Sequence, residues 1–197
     1  MSAFLQNLKI AQKLALAFSV LLLLTLTLAG FSLSGARSID MAAAEISHTW
    51  LPSTQKAGEI GQFLSDHRRN VLAHILSTED AMMAGYEKEL ADLASRFQAA
   101  VRDYEGLIVL PEERRLHAAI AAATNSYLAG SEKVVALSRQ NQNEQARDLA
   151  MGQTRDAYLQ IAGNAEKLIR LNADEAARLA DEADATYDMV LLEVGGI

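Results

Sequence analysis

A polar segment at residues 65–70, Ser-Asp-His-Arg-Arg-Asn, interrupts an apolar helical pattern. The apolar positions before it, ending at Leu64, recur every three to four residues, and the same spacing continues to His67. Arg68 and Arg69 flank that line. Guanidinium groups carry several planar donors, which suit a carboxylate better than the ammonium group of lysine does. The segment therefore predicts a binding site for a small organic anion, most simply a carboxylate.

The same side chains also fit a structural interpretation. Asp66 can pair with Arg69 or Asn70 on a solvated helix face, as most charged helical segments do. His67 and His74 are two helical turns apart, too distant for an easily shared first-row metal ion but compatible with a haem between helices. No other haem signature occurs in the sequence. We therefore expect core positions for both histidines, and we expect no metal and no cofactor.

The depth of each residue below its helix end predicts which side chains can meet the arginines. Arg68 lies about ten residues, or roughly 15 Å, before the turn expected at residues 77–80. The other turn at the same end is expected around Gly152. Tyr127 is then expected far below that turn, in the core, while Thr154 also fits a helix cap. The predicted ligand-binding residues are Arg68, Arg69, Asn141, Gln153, Thr154 and Tyr158.

Composition excludes several other classes of function. Without the two lysines of the first 33 residues, 16 basic and 25 acidic residues remain, a net charge of −9, which argues against nucleic acid as a partner. The chain has no cysteine, so it has no disulfide, no thiolate metal site and no c-type haem attachment. Only Glu45 and His48 form a Glu-x-x-His pair, whereas a di-iron bundle needs two. The sequence predicts a binding module and not an enzyme.

An uncharged apolar run at residues 14–33 is long enough, at roughly 30 Å as a helix, to cross a bilayer. Lys9 and Lys13 precede it and no acidic residue occurs before Asp40, which predicts a cytoplasmic segment at residues 1–13 and an outward-facing remainder. Ser-Gly-Ala at residues 34–36 could instead be the cleavage site of a signal peptide. The length of the run favours an uncleaved transmembrane helix.

The outer domain, residues 34–188, is predicted to be all-α. Its first helix is expected over residues 39–76 with a kink at Pro52, and a capping-box sequence at residues 77–80 is expected to open the second. Pro111 predicts the start of a third helix, and Gly152 is expected to close it in the left-handed conformation before a fourth begins. Apolar positions alternate at spacings of three and four, which predicts an up-down-up-down antiparallel four-helix bundle.

Residues 189–197 become apolar after the fourth helix. Nine residues cannot cross a bilayer, so we interpret them as the start of a second transmembrane helix that is cut off. Glu193 fits this poorly. The alternative is the amphipathic end of the fourth helix.

Three stretches of the sequence resemble the bacterial methyl-accepting chemotaxis receptors that have a four-helix-bundle sensor domain. They are Asn-Leu-Lys-Ile-Ala-Gln-Lys-Leu at residues 7–14, Trp-Leu-Pro at residues 50–52, and Arg-Arg-Asn-Val-Leu at residues 68–72. The resemblance covers nearly the whole chain. It implies a homodimer in the bacterial inner membrane whose periplasmic domain binds a small molecule near its membrane-distal end, through arginines of the first helix and the start of the fourth. It also implies signalling to cytoplasmic partners through regions beyond the second span.

We therefore expect the sensor region of a transmembrane chemoreceptor that transmits ligand binding by helix displacement. A sensor bundle that feeds a histidine kinase or a cyclase is one alternative, and a ligand-free structural or interaction bundle is another. The polar and small residues Gln62, Asp66, Arg69 and Ala73 predict a homodimer along the first outer helix.

Overall fold

The computed structural model describes residues 9–195, which form six helices joined by short connections. The helices are α1 Ile10–Glu45, α2 Leu51–Leu76, α3 Asp80–Glu105, α4 Pro111–Arg139, α5 Asn143–Met151 and α6 Gln153–Gly195. A π-helical turn, Ile46–Trp50, connects α1 to α2 without a break. No strand occurs in residues 9–195, so the all-α prediction is confirmed.

The chain divides into two compact units. One consists of Met1–Ile46 with Ala177–Ile197, and the other is Ser47–Ala176. Within the described part of the first unit, the apolar residues of α1 are almost all exposed, as a lipid-facing surface would be. The helix that starts at Ile10 is the one helix of residues 9–195 that is long and apolar enough to cross a membrane.

In the first unit, α1 and α6 approach closely at Gly35. A Cβ atom at this buried position would collide with Val190 and would lie 3.7 Å from Thr186. The absence of a side chain at Gly35 therefore allows the two helices to approach this closely. The apolar end of α6 is helical up to Gly195, and the second transmembrane helix expected from residue 189 onward stays a prediction. Residues 1–8 of the expected cytoplasmic segment and residues 196–197 lie outside the described part.

In the second unit, α2, α3, α4 and α6 surround one apolar core. The spacings of three and four predicted from the sequence are confirmed in α6, where Ile161, Ala165, Leu168 and Asn172 are all buried. A smaller apolar cluster next to this core holds the short helix α5. Its buried members are Val71, Ile75, Leu90, Val134, Ala146 and Ala150.

A π-helical turn ends two residues before Pro52, while the kink expected at Pro52 stays a prediction. Proline has no N–H group and cannot donate the hydrogen bond of a regular helical turn. The predicted capping box at residues 77–80 is wrong. Ser77 instead closes α2 with an extended backbone, and Glu79 precedes α3 without a side-chain cap bond. Because Ser77 is buried at the end of α2, its hydroxyl group is not available to cap the next helix.

The expected end of the third helix at Gly152 is also wrong. Helix α4 ends at Arg139, and Asn141 takes the left-handed conformation with φ = 59°. Asparagine tolerates this conformation better than other residues that have a Cβ atom. Gly152 joins α5 to α6 with φ = −96°, so it does not adopt the left-handed conformation.

A buried polar network connects α3, α4 and α6 at the turn between α3 and α4. Glu113 accepts hydrogen bonds from the Tyr104 hydroxyl group and from the backbone N–H groups of Val109 and Leu110, each at 2.8 Å. Asn172 of α6 donates to the Tyr104 hydroxyl oxygen at 2.9 Å. Burial raises the pKa of Tyr104, and Glu113 raises it further. The network therefore fixes the position of α6 against this turn.

Candidate functional site

Arg68 is the one predicted site residue whose charged group is buried in the bundle, with 7% of its surface exposed. Its Nη2 donates to the Ala150 carbonyl oxygen at 3.0 Å and lies 3.8 Å from Met151 Sδ. Its Cζ is 5.1 Å from the centre of the Tyr158 ring, a cation–π geometry. The last turn of α5 and the first turns of α6 therefore hold this guanidinium group.

No acidic side chain of residues 9–195 pairs with Arg68. Within that range its Nη1 is buried and makes no hydrogen bond. A buried cation without a counter-charge is costly, so such a group favours an incoming anion. A groove of about 490 Å³ opens beside it on the α2–α6 side of the bundle. The groove is lined by Ser65, Arg68, Arg69, Leu72, Ala73, Leu76 and Tyr158.

The structure brings Arg68 and Tyr158 together and places the other predicted residues differently. Arg69 lies at the groove but is exposed and forms an ion pair with Asp66 at 2.8 Å. Asn141 and Gln153 are exposed and do not line the groove.

Thr154 is buried, and its Oγ1 makes no hydrogen bond within residues 9–195. It packs on Gly130 of α4, where a Cβ atom would lie 2.7 Å from Oγ1. Since α6 begins at Gln153 and Oγ1 makes no bond, Thr154 does not cap the helix in this structure. Its hydroxyl group marks a tight contact between α4 and α6.

Tyr127 was predicted to lie far below the arginines, and this is wrong. It is fully buried, but its hydroxyl group hydrogen-bonds His67 Nδ1 at 3.0 Å, and its ring lies 6.3 Å from that of Tyr158. The error follows from the position of the third turn. Because α4 ends at Arg139, Tyr127 lies 12 residues before its helix end, and Arg68 lies 8 residues before Leu76.

Burial lowers the pKa of His67 from 6.5 to about 4, so this imidazole is neutral at physiological pH. Burial also raises the pKa of Tyr127, while Ser131 and Arg68 lower it. A continuous series of contacts thus runs through the bundle, from His67 through Tyr127 and Tyr158 to Arg68.

The second buried histidine, His74, belongs to a different network. Its Nδ1 lies 2.9 Å from Ser138 Oγ, and its Nε2 lies 3.2 Å from Glu87 Oε1. Glu87 also pairs with Arg139 at 3.1 Å. These contacts connect α2, α3 and α4 near the α2–α3 turn. Residues 9–195 hold no group of three or more metal-ligating side chains.

Two buried polar residues of the bundle, Glu113 and Ser131, were not identified from the sequence. The sequence indicated that Glu113 lies in the acidic first turn of a helix. It did not indicate that the Glu113 carboxylate is buried and accepts three hydrogen bonds. Ser131 was not identified from the sequence either, although the structure buries it.

One comparison with known protein families gives a match. The family described as a four helix bundle sensory module for signal transduction matches residues 7–187. No curated protein matches the sequence.

Proposed function

Because the chain belongs to the family of four-helix-bundle sensory modules for signal transduction, we propose that its bundle senses a small organic anion at Arg68. Membership of this family confirms the resemblance to the sensor domains of chemotaxis receptors that the sequence suggested. The proposal adds the ligand class and the residues that contact it. We also propose that the chain is the sensor region of a chemoreceptor. Helix α1 then crosses the bacterial inner membrane, and the bundle lies in the periplasm.

The buried guanidinium group of Arg68 is the observation that carries this proposal. Its Nη2 is used by the Ala150 carbonyl oxygen, and Nη1 has no partner within residues 9–195. A carboxylate in the adjacent groove supplies both the missing acceptor and the missing counter-charge. Tyr158 adds a phenol group on the α6 side of the groove.

The net negative charge of the chain indicates which contacts must hold an anionic ligand. With a net charge of −7 for the whole chain, long-range attraction does not draw an anion toward the groove. Local donors must therefore supply the affinity. Arg69 is less suited to this, because its charge is exposed and already paired with Asp66.

Helix α6 gives a direct route for the signal. It carries Tyr158 near its start and continues unbroken to Gly195. A ligand that bridges Arg68 of α2 and Tyr158 of α6 favours one placement of α6 against α2, and a small shift between packed helices is a known form of switching. We propose that this displacement passes the signal to the cytoplasmic side.

The test is a titration of the chain in lipid nanodiscs with a panel of small mono- and dicarboxylic acids. The acid that raises the melting temperature most is then titrated calorimetrically. Arg68→Ala is expected to weaken its binding about ten- to a hundredfold, since a charge-assisted contact is worth about 1.5–3 kcal/mol.

The matched control is Arg69→Ala, which removes an exposed arginine at the same groove and is expected to change the affinity less than about threefold. Arg68→Lys keeps the charge but not the planar donors, and it should bind at an intermediate strength. Equal affinity of the parent and the Arg68→Ala variant would place the site elsewhere. An absence of any thermal shift would favour a ligand-free structural bundle.

We further propose a homodimer along α2. Gln62 and Arg69 are exposed on this helix, and Asp66 and Ala73 are half-buried, so the face is small and polar. The chain has no cysteine, so a single introduced cysteine reports one contact. Oxidation of a Gln62→Cys variant is expected to give a disulfide-linked dimer in nanodiscs. The same treatment of Ala122→Cys, an exposed position on α4, should leave a monomer, and equal cross-linking of both would contradict the α2 interface.

A further inference from the structure

A second cavity, of about 550 Å³, lies between α3 and α4 on a different side of α2 from the Arg68 groove. Six of its 13 lining residues are apolar and seven are polar or charged, and all of them belong to these two helices except His67 of α2. The apolar and small lining residues are Leu90, Ala91, Ala94, Leu128, Val135 and Ala136. A space of this size and lining is typical of a small-molecule site.

The two helices are joined above and below the cavity in different ways. Next to the α3–α4 turn they pack tightly, where His117 Nε2 lies 2.8 Å from the Val101 carbonyl oxygen and its ring stacks on Tyr104. At the other end, Arg139 reaches across from α4 to Glu87 of α3. Between these contacts, small side chains face each other and leave the helices apart. The cavity is therefore framed by specific interactions at both ends.

Two buried polar side chains face this cavity with unused hydrogen-bonding groups. Ser131 is 2% exposed, and its Oγ lies beside the Tyr127 hydroxyl group without a hydrogen bond of acceptable geometry within residues 9–195. His67 is 4% exposed and uses Nδ1 for Tyr127, so Nε2 is its free ring nitrogen. A buried hydroxyl group without a partner, such as that of Ser131, is costly and points to a missing partner.

The charges at the cavity disfavour an anion. Glu87 and Glu132 both line it, and the one arginine among its lining residues, Arg139, is already paired with Glu87. The imidazole of His67 is neutral at physiological pH, because burial lowers its pKa to about 4. An occupant thus meets a neutral imidazole, the hydroxyl groups of Ser95 and Ser131, the amide group of Gln98 and apolar carbon, and the carboxylates in the lining disfavour a negative charge.

We propose that this cavity binds an uncharged small molecule with a ring-sized apolar body and one hydroxyl or carbonyl group, which hydrogen-bonds Ser131 and His67. The apolar body lies against Leu90, Leu128 and Val135. This site is separate from the anion site proposed at Arg68, and phenol can be tested there whether or not an anion binds at Arg68. The bundle then takes ligands of two chemical classes.

Phenol is the probe, and toluene and benzoate are its comparisons. Each is titrated against the chain in nanodiscs by ligand-observed NMR, with empty nanodiscs as background. Phenol is expected to bind with a dissociation constant of about 0.1–5 mM, the range for a ligand of so few atoms. Toluene should bind more weakly because it lacks the hydroxyl group. Benzoate should not bind in the cavity, because the acidic lining residues disfavour an anion. Any benzoate signal should therefore be the same in the parent and in the cavity variants described below.

Three variants place the binding in the cavity. Ala136→Phe fills it from an exposed lining position and is expected to abolish phenol binding, whereas Ala122→Phe adds the same ring at an exposed α4 position away from the cavity and should not. Ser131→Ala should weaken phenol about five- to tenfold and leave toluene unchanged.

Three outcomes would overturn the proposal. These are an absence of phenol binding to the parent at about 10 mM, equal phenol affinity of the Ala136→Phe and Ala122→Phe variants, and equal loss of phenol and toluene in Ser131→Ala. Circular dichroism of each variant checks that the helices are intact. Because Ala136 and Ala122 are both at the surface, neither substitution disturbs the buried core.

Discussion

Replacing Glu113 with alanine is expected to lower the free energy of unfolding by about 3–5 kcal/mol, because it removes a fully buried acceptor of three hydrogen bonds. The Tyr104 hydroxyl group then loses its acceptor in the core, and the N–H groups of Val109 and Leu110 lose theirs at the turn. Thermal and urea unfolding of the chain in detergent micelles measure the loss. A fall in melting temperature of roughly 10 °C corresponds to this energy.

Glu112→Ala is the matched control for this prediction. Glu112 is the adjacent acidic residue, but it is exposed and pairs with Arg115 at the surface, so its loss should have little effect. Glu113→Gln keeps one acceptor oxygen and should be intermediate. Similar destabilisation by Glu112→Ala and Glu113→Ala would show that the buried network contributes nothing beyond the charge of the first helical turn.

The sequence was sufficient for the helix type, for the end of α2 and for the buried face of α6. Apolar spacing is a local property, and a residue buried on one face of a helix recurs at three and four positions along the chain. This is why the buried positions of α6 and the end of α2 at Leu76 followed directly from the sequence. Proline at residues 52 and 111 also acts locally, by removing a backbone donor.

The turn after α4 could not be predicted in the same way. No glycine or proline marks residues 140–142, and the left-handed residue is Asn141. The apolar spacing of α4 continues into residues that form a separate helix, α5. That single error displaced the depth estimates on α4, which is why Tyr127 was placed far below the arginines although it is hydrogen-bonded to the adjacent His67.

For the candidate site, the sequence supplied the residue types but not their burial. Arg68 and Arg69 are adjacent and chemically identical, and the rotation of α2 in the bundle alone decides that one is buried and the other exposed. Likewise, the cavity between α3 and α4 exists because small side chains of two distant segments face each other. Such a pairing is a property of the packed bundle and leaves no local signal.

The contacts from His67 through Tyr127 and Tyr158 to Arg68 connect the two proposed sites. Each step is within hydrogen-bond or ring-contact distance, at 3.0 Å, 6.3 Å and 5.1 Å in turn. An occupant that moves His67 therefore acts on the position of Tyr127 and, through it, on α6. Coupling between two binding sites is reciprocal, so an occupant of either site is expected to change the affinity of the other.

The stability of the bundle is expected to fall by about 3 kcal/mol between pH 6.5 and pH 4 because of His67. Burial of this 4% exposed side chain lowers its pKa from 6.5 to about 4 in the folded state. Below pH 6.5 the unfolded chain binds a proton at this residue and the folded chain does not, so protonation favours unfolding. The contribution is fully present above pH 6.5 and is lost as the pH falls toward 4. Urea unfolding at a series of pH values measures this loss.

His67→Gln is the variant that isolates the effect. The glutamine amide can still hydrogen-bond the Tyr127 hydroxyl group, but it does not titrate, so the loss of stability between pH 6.5 and pH 4 should be smaller by about 3 kcal/mol than in the parent. Acidic residues that titrate in the same range affect both proteins equally and cancel in the difference. An identical pH dependence of the parent and the His67→Gln variant would contradict this prediction, because it would mean that the pKa of His67 is the same in the folded and the unfolded chain.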